Sequence, residues 1–264
     1  MSAQPATGGR VGFGEAIRHT LTITRRDLLH IRSDPEQLVG MTVQPLMFLL
    51  LFVYVFGGAI AGSSSEYLQF ALPGLIIQSV TFTGFVTALG LNQDFQRGIV
   101  DRFRSLPIAR SAVIGGRIAS DAVRVVWSVF IIALFGVLLG FDFENGFAGA
   151  AAGLAVACAF GITVCWPMAF IGIIAKAPES VNTYGFLLIL PLTFASSVFA
   201  SPESMPGWLE AFVNVNPVTK VVDATRSLML GGPVQEDLIA AILWMVGITA
   251  VFAPLAIARY RRRV

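Results

Sequence analysis

Charge is scarce in this chain. Charged residues fill 13% of its 264 positions, against roughly 25% in a soluble domain. With 55% of the residues hydrophobic, that scarcity excludes an ordinary water-soluble fold. Cysteine is limited to Cys158 and Cys165, seven apart in one apolar run, and seven helical residues rise about 10.5 Å. That exceeds disulfide reach, so both read as small buried apolar residues. The histidines are His19 and His30, both in the polar N-terminal stretch. An intramembrane serine protease therefore lacks its base, and no GxSxG elbow occurs. No Cys, His, Asp and Glu cluster has metal-ligand spacing. The absence of a GxxxxGKS/T loop excludes ATP binding by a P-loop. Away from the edge pair Asp121 and Arg124, the apolar runs hold no internal carboxylate or histidine, which counts against proton-coupled transport. No internal repeat is visible, so the inverted-repeat signature of many secondary transporters is missing.

Apolar sequence of membrane length is abundant. Six spans are predicted, at about 38–60, 68–91, 118–140, 148–174, 183–200 and 237–258, each close to the ~20 residues that cross a bilayer. The fold class expected is an all-α integral membrane protein. Residues 1–36 form a cytoplasmic N-terminus and 37–264 a six-helix transmembrane domain. No cleavable signal peptide is expected, because the first 36 residues are polar and basic with no early apolar core. The fourth run, GAAAGLAVACAFG, is rich in small residues that let helix backbones approach closely in lipid.

Cations are distributed unevenly. Fifteen fall in the N-terminus, 92–117, 175–182 and the C-terminal end, and only Lys220 and Arg226 fall in the alternate loops. The positive-inside rule then places both termini, 92–117 and 175–182 in the cytoplasm. Within the N-terminus, Phe13, Ile17, Leu21, Leu28 and Ile31 share one helical face while Arg18, Arg25, Arg26 and Arg32 gather on another. Such a helix lies on the anionic inner leaflet or docks a protein, and membrane lipids are the partner it suits first.

Three further stretches carry the functional reading. Asp94 to Arg117 lies between two apolar runs and holds five of the eighteen basic residues. On a helical wheel Phe95, Ile99, Phe103 and Leu106 fall on one face, and Arg97, Asp101 and Arg104 on the other. Pro107 ends that helix, because its ring clashes with the preceding turn. An amphipathic helix between two spans is a docking surface, with Gly98 and Arg102 also on it. The third span opens with Arg117, Asp121 and Arg124, four and three residues apart and stacked on one face. Two readings stay open: an intrahelical salt bridge near the headgroups, or the lining of a cavity or subunit contact. Last, residues 201–236 read as two short outer helices. The first carries Trp208, and Asn216-Pro217 caps the second, on which Asp223 and Arg226 lie. They either roof an exit path or pack at the interface.

Taken together, the amphipathic N-terminal helix, the segment QRGIVDRFRSLPIARSAVIGGR and the segment NPVTKVVDATRSLMLGG resemble the membrane subunit of a type-2 ABC exporter. The resemblance covers nearly the whole chain and points to the family that includes daunorubicin-resistance-type export permeases. It implies six helices per subunit, pairing with a second permease subunit as a homo- or heterodimer, and a separate nucleotide-binding ATPase. The segment between the second and third spans would be the coupling helix, with Phe95, Ile99 and Phe103 in a groove of the ATPase. Arg97, Asp101, Arg102 and Arg104 would lie at the rim. No cofactor is expected in this chain, since ATP and magnesium would be held by the ATPase, and no nucleic-acid partner is implied. The chain itself would not be an enzyme, and the uncharged spans favour an apolar or amphipathic substrate. The rival readings are an ATP-independent secondary transporter or channel, a membrane-bound enzyme, and a non-transporting membrane anchor.

Overall fold

A computed structural model describes residues 35–98 and 110–263. The basic helix expected over Phe13–Ile31 lies outside the described residues, as do Ile99, Asp101, Arg102, Phe103, Arg104 and Pro107. The described chain is all-helical. Helix α1, Pro35–Leu50, runs on through a π-helical stretch, Leu51–Phe56, into α2, Gly57–Ala61. There follow α3 (Ser64–Gln96), α4 (Arg110–Leu138), α5 (Gly146–Ile174), α6 (Pro178–Phe194), α7 (Gly207–Val215), α8 (Pro217–Leu230) and α9 (Gln235–Arg263).

Among the described residues, five helical stretches are long and apolar enough to cross a membrane. They match the first, second, third, fourth and sixth predicted spans. The fifth differs. Where a span was expected over 183–200, α6 has 17 residues and stops at Phe194, about 25 Å of helix against a hydrocarbon core of about 30 Å. The helix passes through Pro191, and Ala195 then leaves helical geometry at φ −93°, ψ 63°. The chain beyond is nonetheless buried, with Ser196, Ser197 and Val198 out of contact with solvent. Irregular backbone at such depth persists only where its polar groups find partners inside the protein. Asn216 supplies them, its Nδ2 donating to the carbonyls of Leu192 at 2.8 Å and Ala195 at 2.6 Å. The same side chain caps α8, its Oδ1 accepting from the Val218 amide at 2.9 Å. One asparagine thus closes one helix and opens the next.

Helices α3 and α5 form the centre, and glycine sets their spacing. Lipid tails give no hydrophobic drive between spans, so close van der Waals approach has to hold them. A Cβ at Gly172 would meet the Ala88 carbonyl at 2.4 Å, and one at Gly161 would meet Val80 at 2.9 Å. Gly149 and Gly153 likewise admit Leu228 and Met229 of α8. Helix α8 is therefore a packed part of the bundle, with Val218, Val221, Val222, Thr225 and Met229 buried. Helix α7 is not: Trp208 is 76% exposed and Val213 is its one buried residue.

The far end of α5 is tied by side chains. Asn92 donates to the carbonyls of Gly172 at 3.1 Å and Ala175 at 2.9 Å. Arg263, in the last turn of α9, donates to the carbonyls of Ile173 and Ala175. These bonds satisfy carbonyls that a helix end leaves orphaned. Helix α3 itself runs 33 residues, past both ends of the predicted 68–91 span.

Candidate functional site

Helix α4 brings Arg117, Asp121 and Arg124 to one face, at the spacing expected, with Asp121 and Arg124 buried and Arg117 half-buried. Asp121 has no exposed surface and Arg124 is 6% exposed. Arg124 Nη1 donates to Asp121 Oδ1 at 2.6 Å, while Arg117 Nε stands 3.4 Å from Asp121 Oδ2. A fourth member, unforeseen from the sequence, comes from α3: Asp94 Oδ2 lies 3.5 Å from Arg117 Nη1. The result is a chain Asp94–Arg117–Asp121–Arg124, two carboxylates alternating with two guanidiniums. Its charges cancel, which makes its burial tolerable. Gly90 makes the room, since a Cβ there would overlap the Arg117 guanidinium. The network is incomplete, however. Arg117 Nε, Asp121 Oδ2 and Arg124 Nε are buried without a hydrogen bond.

The inner end of this chain opens on a cavity. Residues of α1, α3 and α4 enclose about 300 Å³, lined by Gln44, Pro45, Phe48, Leu75, Gln78, Ser79, Phe82, Thr83, Val86, Arg124 and Ser128. The lining is mainly apolar, with a few convergent polar groups, the usual make-up of a small-molecule site. Across it, the Ser79 and Ser128 hydroxyls pair at 2.5 Å, and Gln78 is 3% exposed with its amide nitrogen unpartnered. Polar residues inside the runs at 78, 79 and 128 were visible in the sequence, but nothing there paired 79 with 128. No nucleophile stands beside a base in this lining. The cavity is equipped to bind and orient a ligand.

A second ionic cluster lies at the opposite end, where α8 meets α3. Asp223 and Arg226 pair at 2.9 Å, and Ser197 donates to Asp223 at 2.7 Å. Arg226 also donates to the carbonyls of Phe70 at 3.1 Å and Ser197 at 2.9 Å, and its guanidinium sits 4.1 Å above the Phe70 ring. Burial pushes the Asp223 carboxyl up from its ordinary range, opposed by the Ser197 hydrogen bond and the Arg226 charge. Burial likewise lowers Arg226, opposed by Asp223. Lys220 pairs with Asp237 of α9 at 3.1 Å.

Only the start of the expected docking helix falls among the described residues. Phe95 belongs to the last turn of α3, which ends at Gln96, and Gly98 takes the left-handed φ of +66°. The Phe95 ring meets Tyr260 of α9 at 5.5 Å, with the Arg263 guanidinium 4.8 Å from its centre. Arg97 is exposed.

Comparison with known proteins agrees over most of the chain. The ABC-2 type transporter family matches residues 18–230. The daunorubicin resistance ABC transporter permease protein DrrB1 of Streptomyces coeruleorubidus is 38% identical over 258 residues, 98% of this chain and 91% of that protein. The probable doxorubicin resistance ABC transporter permease protein DrrC of Mycobacterium tuberculosis is 28% identical over 249 residues, covering 93% and 89% of the two chains. The inner membrane transport permease YadH of Escherichia coli is 22% identical over 201 residues, covering 73% and 77%. A chain with this helical fold and this breadth of match belongs to the ABC-2 type transporter family, as a membrane permease subunit of an ABC exporter.

Proposed function

We propose that this permease moves an apolar or amphipathic small molecule out of the cytoplasm, loading it into the cavity between α1, α3 and α4. The observation that carries the reading is that cavity: drug-sized, mainly apolar and faced by Arg124. The daunorubicin-resistance and doxorubicin-resistance names of two relatives support the same substrate class. Energy comes from a separate ATPase subunit that holds ATP and magnesium, and a second permease subunit completes the pathway. The chain crosses the membrane six times with both termini in the cytoplasm, α6 being the shortest crossing and continued by the buried stretch 196–198.

Coupling is assigned to the segment after Gly98. Ile99 and Phe103 enter a groove of the ATPase, with Asp101, Arg102 and Arg104 at its rim, and Pro107 ends the helix. Phe95 begins this coupling surface where α3 meets Tyr260 of α9. From that segment the ion chain Asp94–Arg117–Asp121–Arg124 leads to the cavity wall, so closure of the ATPase dimer reaches the substrate site through charges as well as helices. The permease is then a two-state element biased by its partner.

Phe103→Ala should weaken ATPase association by about 2 kcal/mol, the scale of an interface hot spot, and Arg104→Gln should do less. Pull-down of the ATPase with each variant, and substrate-stimulated ATP hydrolysis in lipid, measure this. Undiminished retention by a correctly inserted Phe103→Ala variant counts against coupling through this segment. For the topology, single cysteines at 104 and at 64, with Cys158 and Cys165 replaced, should label from inside and outside respectively. Labelling at 104 from outside intact cells overturns the orientation.

A further inference from the structure

At the end of α5 lies a second hollow, apart from the cavity between α1, α3 and α4. It measures about 290 Å³ and is lined by Lys176, Arg259, Arg262 and Arg263 and by the apolar Ile173 and Ile174. Tyr260 fixes this arrangement. It is 2% exposed, turned beneath Phe95, and so sets the rotation of the last turns of α9. Residues 259, 262 and 263 then fall at i, i+3 and i+4, on one face of the helix. Among the described residues no carboxylate pairs with Lys176, Arg259 or Arg262. Arg263 is committed to the carbonyls of Ile173 and Ala175. Four like charges around one hollow repel one another unless an anion enters.

We propose that this hollow binds the phosphate of an anionic phospholipid headgroup. Two features select a lipid over a soluble phosphate. The hollow sits at the ends of two spanning helices, where headgroups lie, and its lining includes apolar Ile173 and Ile174, the latter 39% exposed and able to contact an acyl chain. Basic hollows between spans are suited to such headgroups. Because Arg263 and Tyr260 also hold α5 and α3 together, an occupied hollow braces the helix ends from which the α3–α4 connection departs.

The test is lipid retention by the full chain, measured by native mass spectrometry. The chain is released from bilayers of phosphatidylcholine containing phosphatidylglycerol, and from phosphatidylcholine alone supplemented with inorganic phosphate. Wild type should retain phosphatidylglycerol. The double variant Arg259→Gln/Arg262→Gln should lose affinity for it about 30-fold, the attraction of two surface cations. Arg259→Lys/Arg262→Lys should keep it, which separates charge from folding. Unchanged retention by the glutamine variant, equal loss in both variants, or binding of inorganic phosphate without preference for phosphatidylglycerol would each overturn the assignment. So would loss of ATPase co-purification in the glutamine variant with lipid retention intact, since the cations then serve a protein.

Discussion

The permease contains the same ionic pair twice, and the two copies behave differently. Asp121–Arg124 and Asp223–Arg226 are each three residues apart on a helix, paired at 2.6 Å and 2.9 Å. Around Arg226 the donors are well used: one carboxylate, two backbone carbonyls and a ring face. Around Asp121, three buried polar atoms have no hydrogen bond, and a cavity opens beside Arg124. A saturated buried network rigidifies, whereas a partly satisfied one is costly to keep. Retaining the costly one beside a drug-sized cavity fits a wall that rearranges. The saturated one fits a clasp joining α8 to α3.

The largest effect should come from breaking the clasp. Arg226→Gln leaves Asp223 without its charge partner and two carbonyls without donors. It should lower stability by about 3 kcal/mol, the scale for losing one partner of a buried pair. Thermal unfolding of the detergent-purified chain measures it. Asp121→Asn should cost less, about 1 kcal/mol, because the amide oxygen still accepts from Arg124 and Asp94 still offsets Arg117. Transport per folded molecule should instead fall about tenfold, or 1.4 kcal/mol in activation terms. If Asp121→Asn unfolds the protein as Arg226→Gln does, while the surviving molecules transport normally, the two pairs are equivalent and the moving-wall reading fails.

Local spacing carried much of this structure into the sequence. The five long spans, the Asn216 cap, the buried face of α8 and the alignment of Arg117, Asp121 and Arg124 all follow from residues within a few positions of one another. What escaped is long-range. Asp94 and Arg117 meet because α3 and α4 pack together across 97–110, and the Ser79–Ser128 pair and the cavity depend on the same packing. The end of α6 escaped for a different reason. Hydropathy continues apolar through Val198 and Phe199, while the helix stops at Phe194 because Asn216, over twenty residues on, takes its terminal carbonyls. At the end of α3 a single backbone angle was equally out of reach: a wheel drawn through Gly98 assumes a helical φ, and the residue adopts +66°.

The smallest effect sharpens the comparison from the side of the clasp. Burial raises the Asp223 carboxyl above its ordinary range, and Arg226 and Ser197 only partly oppose it. A carboxyl whose folded pKa exceeds its unfolded one binds its proton more tightly in the folded state, so the contribution to stability is fully present below the unfolded value and is lost as pH rises through the folded value. Wild type should therefore gain stability relative to Asp223→Asn on acidification, in the window that begins just above the usual aspartate range and extends down to it. The difference between the two unfolding curves, taken at matched pH steps, removes the other titrating groups, which are common to both chains. The opposite slope, wild type losing stability relative to the asparagine variant as pH falls, would mean that Arg226 outweighs burial. The clasp would then draw its strength from charge rather than from the hydrogen bonds that fill it, and its contrast with the Asp121 network would narrow.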